Sequence, residues 1–231
     1  MKENEISVKG IILSVYPQGE YGRRVSLLSD RFGRITVFAQ GAAKQTSRII
    51  GACRPFVCGE FTLAQGKNAW GLHGVSVIES FGEIPLYPDT AFLGSYFLEL
   101  ADYFSAEGMT EEDTKKRLNL LYVALRSLKE KSMGITRIPA ELQRRIYELR
   151  MLVQEGTYTE LPENGGTGAA GIWRYVIASP LSGLFRRELW PENGTAGTDE
   201  QLSPAEEEFC EAVDRLRKRM IGFRFRSEEL L

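Results

Sequence analysis

Five short apolar runs lie between residues 7 and 80, and they constrain the fold more than any other feature of this sequence. The runs are rich in β-branched and aromatic residues, which is the composition typical of strands. Turn residues separate them, among them Pro17 with Gly19, the stretch 29–33 and the hairpin signal Gln65-Gly66-Lys67-Asn68. Strands so short and so closely spaced favour a small closed barrel over a sheet covered by helices.

The same pattern predicts where each strand begins and ends. They are predicted over residues 8–15, 25–28, 34–39, 56–64 and 70–81. The common small barrel with this number of strands is the OB-fold. We therefore expect an OB-fold in the first part of the chain.

The apolar period changes after Pro85 and Pro88, and apolar residues then recur every three or four positions. This spacing predicts helices over residues 93–104, 110–128, 139–156, 172–178 and 203–220. The expected fold class is therefore α+β, with an N-terminal five-stranded OB-fold β-barrel followed by an α-helical domain. The predicted domains are residues 1–82 and 83–231, and a Gly/Thr-rich flexible loop is expected over 155–171.

Charge is distributed unevenly along a chain whose formal net charge is only -2. Residues 21–54 contain seven Lys and Arg side chains but a single carboxylate, that of Asp30. One strongly basic segment in a weakly acidic protein indicates an anionic partner. The plainer alternative is that these cations are solvated loop residues.

Residues suited to catalysis or metal binding form no recognisable set. His73 is the only histidine, and Cys53, Cys58 and Cys210 match no disulfide or zinc pattern. The sequence contains no P-loop and no G-x-S-x-G elbow, and its G-x-G-x-x-G match at 166–171 does not follow a strand. We therefore predict a protein with no catalytic residue, no metal and no cofactor, which is not an enzyme.

Membrane and secretion signals are missing from the sequence as well. No apolar run reaches about 18 residues, and residues 1–7 lack the apolar core of a secretion signal. Together with the unpaired cysteines, this predicts a cytoplasmic protein without a membrane partner.

The segment after the third predicted strand has an unusual composition. Residues 41–48 combine small residues, hydroxyl groups and two cations, without a carboxylate. Small residues let a bulky anion approach the backbone, and phosphate oxygens accept hydrogen bonds from cations and hydroxyls. We therefore predict that this loop and its neighbours hold a sugar-phosphate backbone. The predicted contacts are Arg23, Arg24, Arg34, Lys44, Ser47 and Arg48, with Arg54 as a further candidate.

Two more basic groups lie in the helical half. The first surrounds the third predicted helix and consists of Arg137, Arg144, Arg145 and Arg150. An acidic peptide tail with an apolar end would dock where such charges border an apolar groove, although a solvated helix face is an equal alternative. The second group, at 215–219, lies at the C-terminal end of the last helix, where the helix dipole favours cations and no ligand is needed, although Arg224 and Arg226 just beyond it leave an anionic partner open.

The N-terminal motifs resemble those of the RecO family of bacterial recombination mediators. The resemblance rests on VKGIIL at 8–13, GEYGRRV at 19–25, FGRI at 32–35 and AQGA at 39–42, followed by Ser47-Arg48 and Pro55-Phe56. Supporting similarity is found in WRYV at 173–176, in 180–185 and in FRFRSEEL at 223–230. The resemblance thus extends over nearly the whole chain and is more specific in its N-terminal part.

This resemblance implies a DNA-binding recombination mediator in DNA repair, with no enzymatic activity. Proteins of this family bind single- and double-stranded DNA and anneal complementary strands. They bind the C-terminal tail of single-stranded DNA-binding protein and act with RecR to load the RecA recombinase. The resemblance further implies a cytoplasmic, nucleoid-associated location.

Two departures from the family pattern affect these expectations. Many members carry four zinc-binding cysteines between the third helix and the C-terminal segment, where this chain has the cysteine-free residues 156–171. Gln40 and Ala43 stand where Arg or Lys is frequent, and Gly22 stands where Asp is frequent. We therefore expect a variant without the zinc module, with DNA affinity below the family norm.

A function of another class stays open at this point. The OB-fold would then be a protein-interaction adaptor that binds an acidic partner without direct DNA contact, with the helices as its scaffold. Electrophoretic retention of single-stranded DNA of random sequence separates the two functions.

Overall fold

The structure is a computed structural model, and it describes residues 5–40, 49, 51–66, 69–156, 167–190 and 201–230. The chain forms two compact units. Unit 1 consists of Met1–Gly82 and Leu98–Tyr122, and unit 2 consists of Glu83–Phe97 and Val123–Leu231. The division into domains 1–82 and 83–231 stays a prediction.

Unit 1 contains the five expected strands. They are β1 (Glu5–Gln18), β2 (Gly22–Ser29), β3 (Gly33–Ala39), β4 (Val57–Gln65) and β5 (Trp70–Ser80). They close into a barrel in the order β1-β2-β3-β5-β4, and β1 pairs with β4 to complete it. Every pair is antiparallel except β3 with β5, which is parallel. This is an OB-fold, so the predicted fold is confirmed.

Period-2 alternation in the strands fills the barrel. In β3, Ile35, Val37 and Ala39 are buried, while Thr36 between them is exposed. Inward and outward residues alternate in this way because successive side chains of a strand point to opposite faces. The barrel core also contains Val8, Ile12, Val25, Leu27, Cys53, Val57, Phe61, Leu63 and Leu72.

The turn between β2 and β3 depends on a glycine. Gly33 has a φ of 72°, in the left-handed region that other residues enter at a cost. A Cβ at this position would come within 2.1 Å of the Ala106 carbonyl oxygen. The buried Ser29 hydroxyl closes the turn, accepting from the Phe32 N–H at 2.9 Å and donating to the Gly33 carbonyl at 3.0 Å.

Two long helices follow the prolines that end the strand pattern. They are α1 (Pro88–Phe104) and α2 (Glu111–Ser132). The Thr110 hydroxyl caps α2, accepting from the Asp113 N–H at 3.1 Å and donating to its carboxylate at 2.6 Å. This cap satisfies a backbone donor that the first turn leaves unpaired.

Unit 2 contains the remaining long helices, α3 (Ala140–Gln154), α4 (Thr167–Ala178) and α5 (Pro204–Met220). Helix α3 packs on both α4 and α5, and the Trp173 ring on α4 meets Phe209 on α5 at 6.0 Å. Ser203 begins α5 with a full capping box, exchanging hydrogen bonds with Glu206. The helical body predicted from apolar spacing is therefore confirmed.

Helix α4 begins earlier than the sequence predicted. It starts at Thr167, whereas the Gly/Thr-rich composition favoured a loop through Gly171. Ala169 and Ala170 are buried, so packing of small side chains outweighs the low helix propensity of the neighbouring glycines. Residues 157–166 of the predicted loop lie outside the described residues.

Among the described residues, no helix has the length and apolar character needed to cross a membrane.

The Gly33 turn gives a stability prediction. Gly33→Ala forces a Cβ against the Ala106 carbonyl. We therefore expect overpacking to lower the free energy of unfolding by roughly 1–3 kcal/mol, in addition to the cost of placing alanine in the left-handed region. Gly19→Ala is the matched control, because Gly19 has a φ of 64° with nothing within 4 Å of its Cβ position. In the control, only the left-handed backbone strain should lower the free energy of unfolding, by roughly 1–2 kcal/mol. Equal free energies of unfolding for the two variants, from urea denaturation, would contradict this account.

Candidate nucleic-acid interface

The register of the first three strands places one cation between two aromatic residues. Tyr16 of β1 lies opposite Arg24 of β2, and Arg24 lies opposite Phe38 of β3. Residues directly opposite each other in antiparallel strands point to the same face of the sheet. Because Val25 and Val37, their neighbours in sequence, are buried in the barrel, this row of three faces outward.

The row is preorganised by a cation–π contact. The Arg24 guanidinium carbon lies 5.2 Å from the centroid of the Tyr16 ring. Arg24 is exposed, and Tyr16 keeps 52% of its surface exposed. The contact favours this position of the guanidinium by about 0.5–1 kcal/mol and leaves both side chains accessible from solvent.

Arg23 extends this basic character toward the end of the barrel. It lies opposite Pro17 on β1 and Ala39 on β3, and it donates a hydrogen bond to the Gly22 carbonyl at 3.2 Å. Arg23 borders a shallow cavity of about 310 Å³. The other residues described around this cavity are Gln18, Gly22, Phe38, Ala39 and Gln40.

A second cavity of about 410 Å³ adjoins the first, since Phe38 and Gln40 border both. It lies beside the β4–β5 hairpin and includes Trp70 and His73. The remaining residues described around it are Ala64, Gln65, Gly66, Ala69, Gly71 and Leu72.

Negative charge is scarce around the two cavities. None of the described residues that line them carries a carboxylate. Two carboxylates lie close to this lining: Glu20 is exposed in the β1–β2 turn, and the Glu5 carboxylate lies 2.8 Å from His73 Nδ1 at the second cavity. Loops β1–β2 and β4–β5 and the β2–β3 face are the surfaces with which OB-folds bind oligonucleotides.

The other half of the same face is occupied by α1. The Ser26 hydroxyl donates to the Asp102 carboxylate at 2.7 Å. Arg34 donates to the Ser105 carbonyl at 3.1 Å, and its Nε lies 3.8 Å from Asp102. Arg34 therefore serves a structural contact, and it lies four residues before Phe38, roughly 13 Å along the strand.

The predicted phosphate contacts thus divide into three groups. The structure places Arg24 on the outward row and Arg23 beside it in sequence but on the opposite face, level with the buried Ala39 at the end of the barrel, and it places Arg34 apart from both. Lys44, Ser47 and Arg48 lie outside the described residues, in the segment that follows Gln40 along the chain. Arg54, the further candidate, is exposed and lies 3.5 Å from the Ser80 hydroxyl.

Sequence reasoning gave no site role to the aromatic residues of this region. Phe38 and Trp70 were assigned only to strands, and Tyr16 was assigned to no element. The signal in the sequence is that Phe38 follows Thr36 at the outward positions of β3, where a large aromatic side chain finds no core to fill. Its pairing with Arg24 appears only once the register is known.

Arg144 and Arg145, in the basic group around α3, are not available to an acidic peptide. Arg145 is 9% exposed and binds Glu141 at 2.7 Å and Asp214 at 2.9 Å. Arg144 is 13% exposed and pairs with Glu148 at 3.0 Å and with Glu228. The alternative prediction, that these two residues lie on a solvated helix face, is also wrong. Burial opposes their charge, but the carboxylates, above all Glu148, outweigh it and raise the pKa of both guanidinium groups.

The two remaining arginines of that group differ from each other. Arg150 donates to the carbonyls of Val176 at 3.0 Å and Ile177 at 2.5 Å, so it caps the C-terminal end of α4. Arg137 is exposed. The basic end of α5 contains another interior cation, because Arg217 is buried and binds Glu228 rather than being solvated.

The cysteines are poor candidates for metal binding. Within the described ranges, no three His, Cys, Asp or Glu side chains converge as a metal-binding group. Burial, followed by the Glu79 carboxylate, raises the pKa of the Cys58 thiol to about 11, against the opposing effect of Lys9. Burial raises the pKa of the Cys53 and Cys210 thiols as well.

Comparison with known proteins identifies similar chains. Residues 1–81 match a family profile described as Recombination protein O N terminal. The DNA repair protein RecO of Desulforudis audaxviator is 30% identical over 183 residues, which cover 79% of this chain and 70% of that protein. RecO of Caldicellulosiruptor saccharolyticus is 27% identical over 189 residues, covering 81% and 73%. RecO of Clostridium novyi is 28% identical over 149 residues, covering 64% and 55%.

The thiol environments give a prediction about zinc. Zinc sites need several converging ligands, and neither the cysteine spacing nor the described side chains supply such a group, so we expect no stoichiometric zinc in the purified protein. Elemental analysis measures this directly, and one zinc per chain retained after mild chelation would refute it. As a control, Ellman's reagent at mildly alkaline pH should react slowly with the native protein and at once with all three thiols in denaturant.

Proposed function

The chain belongs to the RecO family of DNA repair proteins, and we propose that its barrel binds DNA through the open half of the β2–β3 face. The protein is a recombination mediator in DNA repair. The observation that carries the proposed site is the outward row of Tyr16, Arg24 and Phe38 beside two cavities whose described lining has no carboxylate.

Two kinds of contact support binding of single strands at this site. Arg23 and Arg24 supply positive charge for the phosphates. Phe38 and Tyr16 supply rings on which unpaired bases stack, a contact that tolerates any sequence because every base has a π-face. A strand that follows the row from β1 to β3 meets both kinds of contact.

Duplex DNA can use only part of this surface. Contacts from arginine to phosphate read no base edges, so they are available to single and double strands alike. Stacking on an aromatic side chain requires an unpaired base. We therefore propose that the protein binds both forms of DNA and favours single strands.

Mediation of this kind needs no catalysis. A protein that neutralises phosphates brings two strands together by screening their repulsion, and the sequence contains no P-loop for nucleotide hydrolysis. We propose that the protein anneals complementary strands in this way. We further propose that it acts on DNA coated by single-stranded DNA-binding protein, binding that protein's C-terminal tail, and works with RecR to load RecA at the cytoplasmic nucleoid.

Two arginines in matched settings test the proposed site. Arg31 is exposed and stacks over Phe32 at 5.6 Å, much as Arg24 stacks over Tyr16, but it lies in the β2–β3 turn, outside the outward row, on a ring that packs with Trp70 against the barrel core. Arg24→Ala should weaken single-strand binding and flatten the slope of log affinity against log salt by roughly 0.7, the value for one phosphate contact. Arg31→Ala should bind single strands with the affinity and the salt slope of the wild type.

Fluorescence anisotropy with a labelled oligonucleotide at several salt concentrations measures both quantities. For the wild type we expect a slope of roughly -3 to -4, equivalent to four to six neutralised phosphates on a single strand. Both variants should keep the wild-type melting temperature, because neither side chain is buried. Equal effects of the two substitutions would refute the site. A wild-type protein that binds no DNA at low salt would favour the adaptor function instead.

A further inference from the structure

The parallel pairing of β3 and β5 leaves a gap beside the Phe38 ring. Phe38 lies in register with Gly71, so the neighbouring position on the same face has no side chain. The gap forms part of the cavity of about 410 Å³ described above.

Gly71 is not a glycine that the backbone requires. A Cβ there would meet only His73 Nε2 at 3.7 Å and the Ala64 carbonyl oxygen at 3.8 Å, which are ordinary contacts. Elsewhere in the barrel, Gly10 and Gly59 are structural, because a Cβ would come within 2.6 and 2.7 Å of a backbone oxygen. Gly71 thus has the effect of leaving space open next to an aromatic ring.

The imidazole of His73 borders this gap, and a hydrogen bond orients it. His73 Nδ1 lies 2.8 Å from the Glu5 carboxylate, and an ionised carboxylate only accepts hydrogen bonds. Nδ1 therefore carries a hydrogen, and in the neutral ring Nε2 on the Gly71 side is left as an acceptor. Gln40 and Gln65, which also line the cavity, add amide groups that donate and accept.

We propose that the gap bounded by Phe38, Gly71 and His73, here called the base slot, holds one unstacked nucleobase of a bound single strand. The base lies against the Phe38 ring, and an exocyclic amino group donates to His73 Nε2. This inference rests on the proposed function. A nucleotide fits better than another flat ligand because the adjoining cavity, which shares Phe38 and Gln40, holds Arg23 for a phosphate.

The base slot gives the protein a means of telling single strands from duplex. Entry of a paired base requires it to leave the duplex stack, which costs a few kcal/mol. The slot therefore adds affinity for single strands alone, while the arginines bind both forms. Since thymine has no exocyclic amino group, cytosine is the better-fitting pyrimidine.

The substitution Gly71→Val fills the slot with a side chain that suits a strand. It should lower affinity for oligo(dC) by about 5- to 100-fold, the effect of one stacked base. Affinity for duplex and for a fully abasic strand should not change. Gly74→Val on the same strand is the control, since its Cβ position contacts only the Thr62 side chain at 3.5 Å. Phe38→Ala, which removes the ring without filling the slot, should show the same selective loss.

Outcomes of this titration separate the slot from the proposed function. A wild-type protein that binds neither oligo(dC) nor the abasic strand would overturn both. If the wild type binds but both slot variants keep full affinity for oligo(dC), only the slot is wrong. Equal losses of affinity for oligo(dC), duplex and abasic DNA would also overturn the proposal of a base slot.

The role of His73 is tested by base choice. The wild type should prefer oligo(dC) to oligo(dT) by about 2- to 10-fold, as expected for one hydrogen bond. His73→Phe keeps a flat ring but removes the acceptor, so it should abolish this preference while retaining single-strand binding. A preference that survives in His73→Phe, or that is absent from the wild type, would contradict the assignment.

Discussion

The register of β1, β2 and β3 is the constraint on which the proposed site depends. Burial of alternate residues in the closed barrel determines which side chains point outward, because a shift of one residue would expose the core. With Val25 and Val37 buried, Arg24 must lie between the two aromatic residues of the outward row. The same hydrophobic burial that stabilises the barrel therefore assembles the surface that we propose binds DNA.

A few polar contacts with α1 occupy one half of the outward face and leave the other half open. Asp102 on α1 accepts from Ser26 and lies close to Arg34, so that half of the face is used within unit 1. In the other half, Arg24 and Tyr16 are exposed and Phe38 is half-buried. An arginine in a strand can thus serve either the fold or a ligand, and the presence of a carboxylate partner decides between them.

Periodicity predicted the strands and helices well, because burial in this protein follows the period of each element. It did not predict which cations are accessible. Arg34 is engaged by residues from a helix far along the chain, and Arg145 is enclosed by Glu148 and Asp214 from two different helices. Phe38 was overlooked because an aromatic residue in a strand resembles a core residue until the register shows its direction. Such information comes from tertiary contacts, which local sequence does not encode.

Photo-crosslinking to a single strand that carries halogenated bases tests the central claim most directly, since these bases react with adjacent aromatic side chains. The account predicts that mass spectrometry finds crosslinks in peptides containing Tyr16, Phe38 or Trp70. Three exposed aromatic residues elsewhere, Tyr87, Tyr103 and Phe223, provide an internal control. Crosslinks confined to these three, with none at the row on β1 and β3 or at the start of β5, would contradict the account.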